Sequence, residues 1–271
     1  MAQASAAPSP EVRREEILDQ LEAEGETSIE ALAARFGVSG MTIRRDLQEL
    51  ADSGQVIRTH GGAAPAKRIS FEFRFLERAR QQADEKNQIA ELAMAHIHPG
   101  DSVLLDSSTT TLAIARRLVD ISDLTVVTTS LPIASALFGR DTIRVIILGG
   151  ALRQDSPDLV GALTDSNLEQ IHADVAFIGV DALDEQGVLY NRSPDLGRML
   201  QHMAGAADRV FAVADHTKVG RRELMRFGSL RDWQGLISDD ALEPAMRKRL
   251  ERHGCRVITP GHAAAGGRDA G

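Results

Sequence analysis

Seven short apolar runs between Ser102 and Gly261 constrain this chain more than any other feature. They read SVLLD (102–106), LTVVTTS (124–130), IRVIILGG (143–150), ADVAFIGVD (173–181), RVFAVAD (209–215), GLISD (235–239) and CRVITPG (255–261). Each is rich in Val, Ile or Leu, and helical segments fall between several of them. A strand that is apolar without a break must be buried on both faces. That is the condition of a mostly parallel sheet covered by helices. The sequence therefore predicts an α/β domain over residues 83–260. A helix from Ala83 to His98 would open it, with Ile89, Leu92, Ala93 and Ile97 inward and Pro99-Gly100 as its stop. No repeat of fixed period interrupts the pattern, and residues 261–271 read as a disordered tail.

A smaller unit is expected over residues 10–64, after a disordered leader at residues 1–9. Its first helix carries Val12, Ile17, Leu18 and Leu21 as an apolar stripe and ends at Gly25. Thr27 or Ser28 caps a second helix that buries Ile29, Leu32, Ala33 and Phe36, and Gly37 allows a sharp turn. Ser39 caps a third helix with Ile43, Leu47 and Leu50 inward. At about 100° per residue, Arg45 falls opposite that face. Met41, Gln48 and Glu49 surround it, with Arg44 on the flank. A short helix, a glycine turn and an outward basic helix are the parts of a helix-turn-helix. After Gly54, QVIRTHGGA suits a hairpin wing bearing Arg58 and His60, with positive φ at Gly61-Gly62 in its tip. AAPAKR, Ala63 to Arg68, marks the expected domain boundary, and residues 65–82 form the expected linker, in which Ile69, Phe71, Phe73 and Phe75 alternate with the period of a strand.

The formal net charge of -8 conceals a change of sign at this motif. Residues 1–34 hold Arg13 and Arg14 against eight acids; residues 35–68 hold Arg35, Arg44, Arg45, Arg58, Lys67 and Arg68 against Asp46, Glu49 and Asp52. A local basic patch is what phosphate contact needs, whatever the charge of the whole chain. Asp46, between the arginines and the wing, is expected to orient an arginine.

Other function classes lack their residues. No run approaches the roughly 18–20 apolar residues of a membrane span, and the N-terminus has no basic and apolar signal pattern. Cys255 is the single cysteine, which suits a reducing cytoplasm. HExxH, CxxC and GxxxxGK[ST] motifs are absent, no Ser/His/Asp set can be assembled, and His96 and His98 have poor ligand spacing. Neither a cofactor nor a metal is expected.

The chemistry-bearing stretch of the larger domain is SVLLDSSTTTLAIARRL. Asp106 ends a strand, Ser107, Ser108, Thr109, Thr110 and Thr111 follow, and a helix begins. Ligands of α/β sheets bind beyond the carboxyl ends of the strands, and a helix N-terminus favours an anion. The same hydroxyls could serve only as caps, but five exceed what capping needs. Asp215, Thr217 and Lys218 form a second strand-end cluster, equally readable as a surface ion pair. Gly149-Gly150 permits close backbone approach, and Asp181 is a further strand-end carboxylate.

Taken together, Ser39, Thr42, Arg44, Arg45, Asp46, Leu47, Leu50, Gly54, Arg58, His60, Gly61, Gly62 and Ala63 match the signature S-x-x-T-[IV]-R-R-D-L-x-x-L-x-x-x-G-x-[IVL]-x-R-x-H-G-G-A. The chain thereby resembles the DeoR family of bacterial transcriptional regulators. The resemblance extends from about Lys86 to Pro260 and implies a sensor domain with the fold of ribose-phosphate isomerase and the CoA transferases. It also implies a phosphorylated sugar or related metabolite as effector, and commonly a repressor of sugar catabolism. Asp106, Thr109, Thr110 and Thr111 fit the family's D-x-G-[ST]-T-T, with Ser108 in place of glycine. TTSLPIA is similar to T-N-S-L-x-x-A, with Thr129 in place of asparagine. Asp215, Thr217, Lys218 and Gly220 fit D-x-[ST]-K-x-G. Arg198 and Leu200 stand where Glu and Lys are usual, which alters the effector pocket.

The expected protein is a cytoplasmic regulator that acts as a dimer or tetramer on a double-stranded operator. Ser39, Met41, Thr42, Arg44, Arg45, Gln48, Arg58, His60, Gly61 and Gly62 would form its DNA surface. Two other readings stay open: a DNA-binding protein whose sensor has lost its ligand, and a sugar-phosphate enzyme with a DNA-binding head.

Overall fold

The computed structural model describes residues 8–53, 55–65, 75–153 and 156–261. Gly54, Lys67, Arg68, Ile69, Phe71, Phe73 and most of the expected leader and tail lie outside them. The chain divides into two compact units, Met1–Arg74 and Phe75–Gly271.

In the first unit, α1 (Pro10–Glu24), α2 (Ile29–Phe36) and α3 (Gly40–Asp52) are capped by Ser9, Ser28 and Ser39 respectively. Each hydroxyl accepts a bond from a first-turn N–H and so satisfies an otherwise unpaired donor. Gly37 is left-handed, φ 63°, which makes the turn between α2 and α3. Ile17, Leu21, Leu32, Phe36, Ile43, Leu47 and Leu50 pack into one core. Val12 is not on the buried stripe; it is 46 % exposed. The inward row of α1 is Arg13, Ile17 and Leu21, spaced four apart.

Arg13 is only 5 % exposed, as is Asp46 of α3. Its Nε and Nη2 donate to the two Asp46 oxygens at 2.6 and 3.2 Å, and its Nη1 donates to the Pro8 carbonyl at 3.0 Å. Asp46 therefore orients an arginine, but one from α1 rather than Arg44 or Arg45.

Strands β1 (Thr27–Ser28), β2 (Val56–Arg58) and β3 (Gly62–Pro65) form an antiparallel sheet in the order β1-β3-β2. The sequence suggested only the β2–β3 hairpin. Neither Gly61 nor Gly62 has positive φ. Gly62 is needed for another reason: a Cβ there would stand 2.0 Å from the Thr27 carbonyl oxygen. The third strand, not the turn type, demands this glycine.

The second unit begins with a helix α4 at residues 75–80, so Phe75 stands in a helix, not in a period-two strand, and its ring is buried. Left-handed Gln82 separates it from α5 (Ala83–Met94), which ends four residues before the expected His98. The central sheet comprises β4 (Ser102–Leu105), β5 (Leu124–Thr128), β6 (Ile143–Ile147), β9 (Ala173–Gly179), β12 (Ala207–Val213), β14 (Gly235–Ile237) and β15 (Val257–Ile258). These are the seven apolar runs. All pairings are parallel, in the order β15-β14-β12-β9-β4-β5-β6.

Alternate residues serve opposite faces. Val103, Leu105, Val126, Val175, Phe177, Phe211 and Val213 pack with Ile89 and Ala93 of α5, Leu112 of α6 (Thr109–Arg117) and Ile133 of α7 (Leu131–Leu137). Leu104, Val127, Ala176, Ile178 and Ala212 pack with Met199, Leu200 and Met203 of α9 (Pro194–Gly205) and Leu250 of α10 (Pro244–Arg252). The short strands β7 (Ala151–Leu152), β8 (Leu159–Val160), β10 (Ala182–Leu183), β11 (Val188–Asn191) and β13 (Met225–Ser229), with helix α8 (Ala162–Leu168), complete the unit. None of these small antiparallel strands is evident from hydrophobic pattern.

The Arg13–Asp46 pair sets the first test. Removing one partner strands a buried charge, so Asp46→Ala should destabilise the first unit by about 3–5 kcal/mol in denaturant unfolding. An Arg13→Met, Asp46→Leu double variant should recover most of that loss.

Candidate DNA surface and ligand rim

The outer face of α3 is assembled by its own period and by the cap at Ser39. Arg44, Arg45 and Gln48 are exposed, and Met41 is 70 % exposed. The Ser39 hydroxyl accepts from the Thr42 N–H at 3.1 Å and lies 2.9 Å from the Thr42 hydroxyl, so these two residues are bonded to each other first. Arg58 of the wing donates from Nη1 to Gln48 Oε1 at 2.6 Å, and Gln48 Nε2 donates to Asp52 at 2.7 Å. That chain of bonds holds the wing arginine against the helix that carries Arg44 and Arg45. Arg14 forms a close ion pair with Glu49, which neutralises that acid beside Arg45. His60 and Gly61 are exposed at the wing tip, whereas Gly62 is buried under β1 and is not part of the surface. The sequence pattern did not reveal Arg14, because its partner lies on another helix.

The candidate rim of the second unit lies where the sheet reverses. From β4 the chain moves outward through β5 and β6, then returns to the opposite side of β4 at β9 and moves outward again. Asp106 follows β4, and Gly179 ends β9 beside it. Such a switch point opens a crevice at the carboxyl ends of the strands. A Cβ on Gly179 would stand 2.4 Å from Ser108 Oγ and 3.1 Å from Asp106 Oδ2. Gly179 therefore lets the hydroxyl loop close over the neighbouring strand.

Asp106 is buried, and desolvation pushes its carboxyl up to about 6 from an ordinary 3.8. Hydrogen bonds oppose that rise: the Thr111 hydroxyl donates to Oδ1 at 2.7 Å and the Ser108 N–H at 3.2 Å. Ser108 also caps α6, accepting from the Thr111 N–H at 3.1 Å. Ser107 donates at 2.9 Å to Oδ2 of Asp158, a carboxylate with no exposure at all. Oδ1 of Asp158 and Oγ1 of Thr129 are both buried without a hydrogen-bond partner. Of the five hydroxyls, three are thus engaged within the protein. Thr109 and Thr110 occupy the first turn of α6.

On the other side of β9, the carboxylate of Asp215 caps a short 3-10 turn (His216–Lys218) by accepting from the Thr217 N–H and hydroxyl. His216 is held by Asp239, through Nδ1 at 2.9 Å and its N–H at 2.7 Å. Lys218 is partly exposed. The rim also holds Lys86 of α5, which sequence reasoning passed over. Burial holds its ammonium below the ordinary lysine range, against the pull of Asp215, while Lys218 pushes the same way as burial.

The remaining candidates have local duties. The Gly149 carbonyl accepts from the Thr164 hydroxyl at 2.7 Å, and a Cβ on Gly150 would meet Thr164 Oγ1 at 2.2 Å. Asp181 accepts from the Arg192 N–H at 3.1 Å. Arg198 pairs with Asp165 at 3.1 Å beside His202, and Leu200 is packed in the core.

Residues 13–68 match the DeoR-like helix-turn-helix domain and residues 81–240 the DeoR C terminal sensor domain. The chain belongs to the DeoR family. It is therefore a DNA-binding transcriptional regulator of helix-turn-helix type. It is 34 % identical over 249 residues to the HTH-type transcriptional regulator GlpR of Haloferax volcanii, covering 92 % of this chain and 97 % of that one. It is 32 % identical over 228 residues to the glycerol-3-phosphate regulon repressor of Escherichia coli, covering 84 % and 90 %. Both are regulators, not enzymes. Among solved structures, ribose 5-phosphate isomerase A of Methanocaldococcus jannaschii aligns with 51 % of this chain and 55 % of its own, at 16 % identity and a TM-score of 0.38. Among the described residues, no helix is long and apolar enough to cross a membrane, and no cluster of His, Cys, Asp or Glu side chains could hold a metal ion.

The carboxyl of Asp106 supplies the test of this geometry. Because its folded value lies above the unfolded one, its contribution to stability is present below about pH 4 and lost as pH rises through about 6. Carbon NMR of the carboxyl should show a midpoint near 6. Thr111→Val removes a donor to the charged form and should move that midpoint higher.

Proposed function

We propose that this DeoR-family protein is a cytoplasmic repressor of carbohydrate-metabolism genes, released from or recruited to its operator by a phosphorylated sugar or related anion. The observation that carries the DNA half is the Arg58–Gln48 bond beside exposed Arg44 and Arg45. It presents wing and helix as one basic surface. Arg45, with Thr42 and Gln48, would face the major groove, and Arg44, Arg58 and His60 would grip phosphate or the minor groove. Paired half-sites call for a homo-oligomer, a dimer or tetramer.

The effector half rests on the switch-point crevice. A bound anion would be met by the first turn of α6 at Thr109–Thr111 and by Lys218, with the buried acceptors Asp106 and Asp158 suited to sugar hydroxyls. The E. coli relative is named for a phosphorylated polyol regulon, which is consistent in chemistry. A second reading, a sensor that serves assembly without a ligand, draws on the altered α9. Leu200 is buried in the core and Arg198 is bound to Asp165, so neither replaces the family's usual pair at the pocket.

Genomic fragments retained by the purified protein should share a repeated half-site. On such a site Arg45→Ala should lose about 1–3 kcal/mol of affinity, with relaxed preference at one base pair. Arg58→Ala should weaken all sequences alike and reduce the salt slope. Unchanged operator affinity in Arg45→Ala would refute the docking. Lys218→Ala should weaken binding of the effector in calorimetry; a ligand-free sensor would show no heat and no thermal shift with any sugar phosphate.

A further inference from the structure

Met41 puts an apolar side chain on a basic surface. Among the described residues of the first unit, only Val12 and Met41 are large, apolar and exposed, and Met41 is the more exposed, at 70 %. A single exposed apolar residue needs no explanation by itself. Its neighbours give this one a meaning. Met41 stands second in α3, after Gly40. Arg45 follows it by one turn and shares its outer strip, because residues four apart on a helix lie on one face. The buried row Ile43, Leu47 and Leu50 turns away from both. The core of the unit is complete without Met41, so only a partner can remove it from water.

The polar groups beside it are already bonded within the protein. Oε1 of Gln48 accepts from Arg58 at 2.6 Å, and Nε2 donates to Asp52 at 2.7 Å. A glutamine reads adenine by turning both of these atoms to one base edge. Here each is held by a different partner. The Thr42 hydroxyl lies 2.9 Å from that of Ser39. Arg44 and Arg45 are exposed and make no hydrogen bond or ion pair with a described residue. In helix-turn-helix proteins the N-terminal residues of the second helix reach the base edges. On that half of α3, with Arg44 on the flank, Arg45 and Met41 are the side chains left to do so. An arginine matches the two acceptors of guanine. An apolar side chain matches the one apolar group of the major groove, the methyl of thymine.

We propose that Met41 is a specificity-determining residue of this regulator: its side chain packs on the methyl of a thymine in each half-site, one or two base pairs from the guanine met by Arg45. This rests on the docking of α3 proposed above and adds the base that the first turn of the helix selects. The spacing follows from two periods. Side chains four apart on a helix stand about 5–6 Å from each other, and base pairs stack every ~3.4 Å. Cytosine presents an amino group and no methyl at the same place. A thioether is too weak an acceptor to serve that amino group, so the contact discriminates between the two pyrimidines.

Binding of the full-length protein to duplexes copied from a genomic fragment that it retains tests this, with each thymine replaced in turn by deoxyuridine. Uracil keeps the pairing edge of thymine and lacks only the methyl. In the unaltered protein, one uracil position per half-site should weaken binding about fourfold, the equivalent of one buried carbon. That position should lie one or two base pairs from a guanine whose replacement by 7-deazaguanine weakens the unaltered protein but not Arg45→Ala. Met41→Ala should no longer distinguish thymine from uracil there. Met41→Leu, which keeps an apolar side chain, should still do so. Because Met41 is exposed, neither change should move the thermal midpoint. A thymine preference that survives in full in Met41→Ala would overturn the contact. So would a half-site without any uracil-sensitive position. Either result, with Arg45→Ala still impaired, leaves the docking of α3 standing. Unchanged affinity in Arg45→Ala, or retention of all fragments alike, would sink the docking and the methyl contact together.

Discussion

Parallel pairing of β4 with both β5 and β9 is the constraint on which the larger unit depends. Parallel strands all point the same way, so their carboxyl ends form one edge. Each return to the sheet requires a crossover, and the reversal between β6 and β9 leaves β4 flanked by connections that diverge. Asp106, Gly179 and Asp215 are far apart in sequence, yet they come to one rim because each terminates or follows a strand of this sheet. The apolar alternation that covers both faces, Leu104 against Val103 and Leu105, is what stabilises the arrangement.

The rim is a row of carboxylates held out of water. Asp106, Asp158, Asp215 and Asp239 are all buried, and each is bonded to nearby donors. Donors from Ser107, Thr111, Thr217 and His216 offset the cost of removing the charge from water. Where donors fall short, as at Asp106, the carboxyl holds its proton to a higher pH. At Asp158 one oxygen accepts from Ser107 and the other, Oδ1, has no hydrogen-bond partner. The hydroxyl-rich loop therefore has two duties. Ser107, Ser108 and Thr111 stabilise the rim, and Ser108 also caps the first turn of α6.

The small unit uses a different solution to a similar problem. It has too few residues for a large core, and it places one bidentate ion pair, Arg13 with Asp46, between α1 and α3. A buried pair of this kind adds little net stability over apolar residues of the same size. It does tie α3 to α1, while the buried row Ile43, Leu47 and Leu50 leaves Arg44, Arg45 and Gln48 facing outward together. β1 closes the unit from the other side and brings the wing strand so near that position 62 admits only glycine.

The amino-acid sequence by itself determined the helix-turn-helix, the seven sheet strands and the strand-end position of the hydroxyl loop. These depend on local pattern: helical period around Ile43, Leu47 and Leu50, unbroken apolar runs, and caps such as Ser39 and Ser108. Tertiary structure alone decided the rest. The partner of Asp46, the burial of Arg13 in place of Val12, the reason for Gly62 and the helical state of Phe75 depend on which elements meet. So do the pairing of Ser107 with Asp158 and the bonds from Lys86 to the carbonyls of Arg78 and Gln81. Such contacts join residues tens of positions apart and leave no period in the sequence, because a side chain's partner is chosen by packing, not by its neighbours along the chain.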